Sequence, residues 1–88
     1  MKYEVIWSAK AEEALAAIWM HTSDRDAVTR AASDIDRALQ NRPLDIGESR
    51  DAGRRVYFAV PLGVAYLVRP HDMLVRVLRL WHIKKRVE

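Results

Sequence analysis

The chain opens on an alternation. Over Lys2–Trp7, Tyr3, Val5 and Trp7 fall on one side of an extended segment and Lys2, Glu4 and Ile6 on the other, the period of two that marks a strand. The period then lengthens. Ala11, Ala14, Leu15, Ile18 and Trp19 recur at helical spacing, with Lys10, Glu13 and Ala17 off the stripe, as in a helix with one buried face. Ser8 stands where its side chain can cap that helix, and Glu12 and Glu13 fall in the first turns, where the dipole favours acids. His21-Thr22-Ser23 breaks the pattern. Ser23, followed by Asp26, reads as the start of a second helix. Its stripe is Val28, Ala31, Ala32, Ile35, Ala38 and Leu39, and Asn41-Arg42-Pro43 ends it. So short a link predicts an antiparallel helical hairpin. Trp7 and Trp19 are expected in the core.

Leu44–Gly53 combines Gly, Asp and Ser and reads as loop. Beyond it lie three runs rich in Val, Leu, Tyr and Phe, at about Arg54–Val60, Leu62–Arg69 and Met73–Trp81, parted by Pro61-Leu62-Gly63 and Pro70-His71-Asp72. They predict an antiparallel meander. A sheet of that size cannot bury both faces by itself. The predicted fold is therefore α+β, in the order β-α-α-β-β-β, an antiparallel sheet covered on one face by the N-terminal helical hairpin. Within the first of the three strands Val56, Phe58 and Val60 form a wholly apolar side and are expected to meet the helices, opposite Arg55, Tyr57 and Ala59. In the last strand Val75, Val77, Arg79 and Trp81 oppose Leu74, Arg76, Leu78, Leu80 and His82. Neither side is clean, so Arg76 or Arg79 must lie on the open face, at an edge or on a groove.

Eighty-eight residues, half of them hydrophobic, make one domain over residues 1–88 with a modest core. No cysteine is present, which excludes disulfides and thiolate metal sites and fits a reducing cytoplasm. No apolar run approaches the ~20 residues that span a membrane, and the first residues do not open a signal peptide. The expectation is a soluble cytoplasmic protein. Charge is uneven. Residues 1–44 carry 6 Lys/Arg against 7 Asp/Glu, net −1, whereas residues 45–88 carry 9 against 5, net +4. A basic half points to an acidic or polyanionic partner. The three histidines show no ligand spacing, and no metal or cofactor is expected.

The strand, helical hairpin and three strands carry Val5-x-Trp7-Ser8, Ala14-Leu15-x-x-Ile18-Trp19, Gly47-Glu48-Ser49-Arg50, Pro61-Leu62-Gly63-Val64-x-Tyr66 and Val77-Leu78-Arg79-x-x-His82. In these the chain resembles the RelE/ParE toxin superfamily over nearly its whole length. The resemblance implies a small basic toxin of a type II toxin–antitoxin pair, of the plasmid-stabilisation type. An acidic antitoxin would wrap it in a hetero-oligomer. It also implies growth inhibition by one of two routes: cleavage of mRNA on the ribosome, or poisoning of DNA gyrase without nuclease activity.

Metal-independent RNA cleavage needs an activated 2′-hydroxyl, positive charge on the scissile phosphate and an acid for the leaving oxygen. Arginine suits the phosphate through its planar fork. Arg50, Arg54, Arg55, Arg69, Arg76 and Arg79 are the candidate clamps, His82 and Glu48 the candidate proton-transfer groups, and Tyr57 or Tyr66 the candidate base-stacking residues. Arg79, His82, Arg55 and Glu48 form the candidate catalytic set. Arg50, Arg54, Tyr57, Arg76, Lys84, Lys85 and Arg86 form the candidate target-binding set. Gly63 stands where nucleolytic members usually carry an arginine, and no tyrosine follows His82. An arginine in the last strand and a histidine before a basic tail match the ParE-like ending. The alternative is a family member without catalytic activity that acts as a protein-binding module. A plain RNA-binding domain is disfavoured, because adjacent central strands carry no aromatic pair and no Gly-rich loop is present.

Overall fold

The computed structural model describes residues 2–84. Its elements are β1 (Glu4–Trp7), α1 (Ala9–His21), α2 (Arg25–Asn41), β2 (Glu48–Ser49), β3 (Arg54–Ala59), β4 (Leu62–Arg69) and β5 (Leu74–His82), with single 3₁₀ turns before β3 and β5. The strands form one sheet in the order β1-β5-β4-β3-β2. β3, β4 and β5 make the expected meander. β1, however, lies parallel to β5, with Val5 opposite Val75 and Trp7 opposite Val77, so the sheet is mixed rather than purely antiparallel. Alternation assigns faces and carries no information on direction. The free edge of β5 is where β1 can pair its backbone and still turn Val5 and Trp7 towards the helices. The expected 44–53 loop contains β2, held to β3 by Glu48 opposite Val56 and Ser49 opposite Arg55.

Capping anchors the hairpin. The Ser8 hydroxyl accepts from the Ala11 N–H at 3.1 Å and donates to the Leu78 carbonyl at 3.1 Å, so one side chain starts α1 and ties it to β5. The cap of α2 is Asp24, one residue later than Ser23. Its carboxylate accepts from the Ala27 N–H at 3.1 Å and adds a negative charge at the positive end of the helix. The core joins Ala11 of α1 and Val28, Ala31, Ile35 and Leu39 of α2 to Leu62, Val64, Tyr66, Val75, Val77 and Leu80 of the sheet. Four of the six predicted stripe residues of α2 are thus buried, and Ala32 packs against them.

Two face assignments change. Tyr57 and Ala59 of β3 pack on the core, while Phe58 is 49 % and Val60 77 % exposed. The reason is register: Tyr57 lies opposite Val64 and Ala59 opposite Leu62, so β4 decides which side of β3 is covered. Trp19 is 42 % exposed rather than core. Its indole N–H donates to the Thr29 hydroxyl at 3.1 Å, and the Arg25 guanidinium stacks 4.6 Å from its ring centre.

In β5, Ala65 faces Arg79 but Tyr66 faces Val77, leaving Leu78 as an extra residue. This bulge resets the alternation. Val75, Val77 and Leu80 all enter the core, and Arg76, Arg79 and Trp81 all turn to the uncovered face. The strand that looked mixed is two clean halves joined out of phase.

Candidate functional site: an arginine groove on the uncovered sheet face

The bulge and the register of β3 bring Arg54 and Arg79 to the same face. There they line one groove of about 510 Å³ with Arg50, Val56, Ala65 and Trp81. Arg50 arrives from the short stretch after β2, where its N–H donates to the Arg54 carbonyl at 2.6 Å. Glu48, on the same side as Val56, forms an ion pair with Arg50 at 3.0 Å. Both side chains are at least half exposed, so the pair orients side chains more than it stabilises the fold. Lys10, in the first turn of α1, reaches round β5 to share a smaller depression with Arg54, Leu78 and Arg79. Three arginines thus share one groove with Val56, Ala65 and Trp81, and Lys10 joins two of them in the adjoining depression, which concentrates positive charge on this face.

Trp81 closes one end of this groove. It lies across Gly63, its partner in the sheet, so tightly that a Cβ on Gly63 would overlap the indole Nε1. Phe58 meets the same indole edge-on, ring centres 6.1 Å apart and planes at 76°. Position 63 is therefore glycine because an aromatic ring occupies the space above it.

The other candidates scatter. His82 lies opposite buried Leu62 and lines a different cleft with His21, Asp24, Val60 and Lys84. Arg79 and His82 thus stand on opposite faces of β5. Arg55 turns to the helix side, where Nε and the terminal nitrogen donate to the Ile46 carbonyl at 3.2 and 3.0 Å. Tyr57 packs on the core, and Tyr66 is fully buried. Arg76 is exposed on the uncovered face but outside the groove lining, and Arg69 is exposed at the end of β4. Lys85 and Arg86 lie outside the described residues. Of the candidates, Glu48, Arg50, Arg54 and Arg79 come together. Lys10 and Trp81 join them from outside the set that the sequence suggests. An aromatic opposite a glycine is readable once β4 and β5 are paired, but nothing in the sequence places Lys10 beside β5.

Burial raises the pKa of Tyr66, and the Arg55 guanidinium opposes part of that rise. Among the described residues no group of three or more His, Cys, Asp or Glu is placed to hold a metal, and no described helix is long and apolar enough to cross a membrane.

A second surface lies on the far side of the molecule. Trp7, Leu15, Trp19, Met20, Val28 and Ala32 line an almost wholly apolar groove of about 660 Å³ along the helical hairpin.

A helical hairpin over a five-stranded mixed sheet is the RelE/ParE class of toxin fold. The model for the ParE toxin of type II toxin–antitoxin systems, parDE, matches residues 5–86, and the chain belongs to that family. Solved structures agree in fold. The RelBE2 toxin–antitoxin complex of Mycobacterium tuberculosis is 20 % identical with a TM-score of 0.76, covering 93 % of this chain and 92 % of that one. The chromosomal ParDE system of P. aeruginosa is 22 % identical with a TM-score of 0.70, covering 93 % and 97 %. The archaeal RelE–RelB complex of Pyrococcus horikoshii is 18 % identical with a TM-score of 0.66, covering 98 % and 100 %. Among curated proteins, none matches the chain significantly by sequence.

Proposed function

We propose that this toxin arrests growth by binding DNA gyrase through the arginine groove, without cleaving RNA. The observation that carries the reading is the separation of Arg79 from His82 across β5. Phosphodiester cleavage needs a proton-transfer group beside the phosphate clamp. His82 faces another cleft, and Glu48 is already bound to Arg50 at 3.0 Å. Binding to an acidic surface of a target protein needs only the cations and the apolar floor. A second reading, ribosome-dependent mRNA cleavage, is favoured by one observation: Glu48 puts a carboxylate at the rim of three arginines.

In this reading the partner is an acidic antitoxin and the place of action is the cytoplasm. The three solved relatives are themselves toxin–antitoxin assemblies. The hairpin groove offers an apolar seat for an amphipathic antitoxin segment, and the arginine groove takes its carboxylates. Purified toxin added to a gyrase supercoiling reaction and, separately, to a coupled translation reaction tests the target. The proposal expects lost supercoiling with intact mRNA. Cut mRNA with normal supercoiling would establish the second reading, and inertness in both would leave a protein-binding module.

A further inference from the structure

The geometry points to Arg55 and Tyr66 as a positioning pair that sets Glu48 and Arg50 at the groove from the opposite face of the sheet. The inference rests on the reading of that groove as the target-binding site. The two residues are direct partners across β3 and β4, and both turn towards the helices, away from the arginines. Above them passes the chain from α2 to β2. The Tyr66 hydroxyl lies 2.8 Å from the Pro43 carbonyl and 3.0 Å from the Ile46 carbonyl, sharing its proton between them. Arg55 donates twice to the Ile46 carbonyl and, at 3.4 Å, to that of Gly47. Three successive anchor points, Pro43, Ile46 and Gly47, are thereby held by two side chains.

Past these anchors the chain is held only by the short pairing of β2 with β3 and by the Arg50 N–H bond to the Arg54 carbonyl at 2.6 Å. β2 has only two residues, both exposed and paired on one side alone. Gly47 has φ +74°, and a Cβ there would meet the Val56 carbonyl oxygen at 2.6 Å, so the chain passes β3 at a distance that only glycine allows. Glu48 comes next, on the groove side, with Arg50 two residues on. A slip of the 43–47 segment along β3 would move both charges relative to Arg54 and Arg79, which are carried by the rigid centre of the sheet. A guanidinium committed to two carbonyls in this way is not a groove cation. Arg55 acts on the target only through the loop.

The test uses the full chain. Tyr66→Phe removes one hydroxyl and keeps the buried ring. Backbone amide exchange at Gly47–Arg50 is expected to accelerate at least tenfold, with α2 and the β4–β5 amides unchanged. Arg55→Met should do the same, and Arg55→Lys should recover part of the protection. Growth arrest on induction provides the second arm. Tyr66→Phe is expected to weaken arrest in the parent and to add nothing in an Arg50→Ala background, since both changes remove the same placed cation. Unchanged exchange at Gly47–Arg50, or acceleration spread evenly over the fold, would overturn the inference. So would losses that add in the double variant. If Arg50→Ala alone left arrest intact, the groove reading would fail separately, and the exchange arm would still decide whether the pair fixes the segment.

Discussion

Gly63 and Trp81 show how one residue's identity can be fixed by another strand. The ring occupies the site of the missing side chain, an arrangement that packs an otherwise weak strand position. Gly63→Ala must push the indole aside or shift the strand. It is expected to cost about 1–3 kcal/mol and to move tryptophan emission to the red, both measured in one denaturant titration. Equal stability with unchanged emission would contradict the packing. Tyr66 gives a pH signature at the same scale. Its pKa is raised by burial, so above its ordinary value, about 10, the unfolded chain releases a proton that the folded chain keeps. Stability therefore falls as pH rises through that window. Tyr66→Phe should show a shallower alkaline loss in thermal melts than the parent.

At the scale of elements, much was legible. The 3.6-residue stripes of α1 and α2, the cap at Ser8 and the limits of β3, β4 and β5 follow from side-chain chemistry local to each segment. The parallel direction of β1, the covered side of β3 and the bulge at Leu78 do not, because each is decided by a partner strand. The apolar Val56-Phe58-Val60 side misled for that reason: an uncovered face that carries an aromatic pair reads like a buried one. The site was legible to the same depth. Alternation alone sets Arg79 and His82 on opposite sides of β5, whereas which side is uncovered depends on the bulge, the exposure of Arg54 on the register of β3, and the diversion of Arg55 on a loop 9 residues away. The Ser8 bond to Leu78 links helix start and bulge. Ser8→Ala should lower stability by about 1–2 kcal/mol. Ser8→Asp, which can cap but cannot donate to the Leu78 carbonyl, should recover only part of it in thermal melts.

Over the whole molecule, the two grooves lie on opposite faces. The helical side presents an apolar groove and the bare side of the sheet a cationic one, with the core between them. Surfaces that share no residue should be separable by mutation. Met20 is 65 % exposed, so Met20→Glu should fold normally, lose at least tenfold in antitoxin affinity and stay toxic. Calorimetry with the antitoxin, beside a growth assay, checks both halves.

On the proposed function, arginines of the uncovered face, without His82, carry the toxicity. Growth after induction of the parent chain, of Arg54→Ala/Arg79→Ala and of His82→Ala tests it most directly, with circular dichroism to confirm that each variant folds. The double arginine variant is expected to grow normally while the histidine variant still arrests. Arrest retained by the arginine variant, or lost with His82 alone, would contradict it.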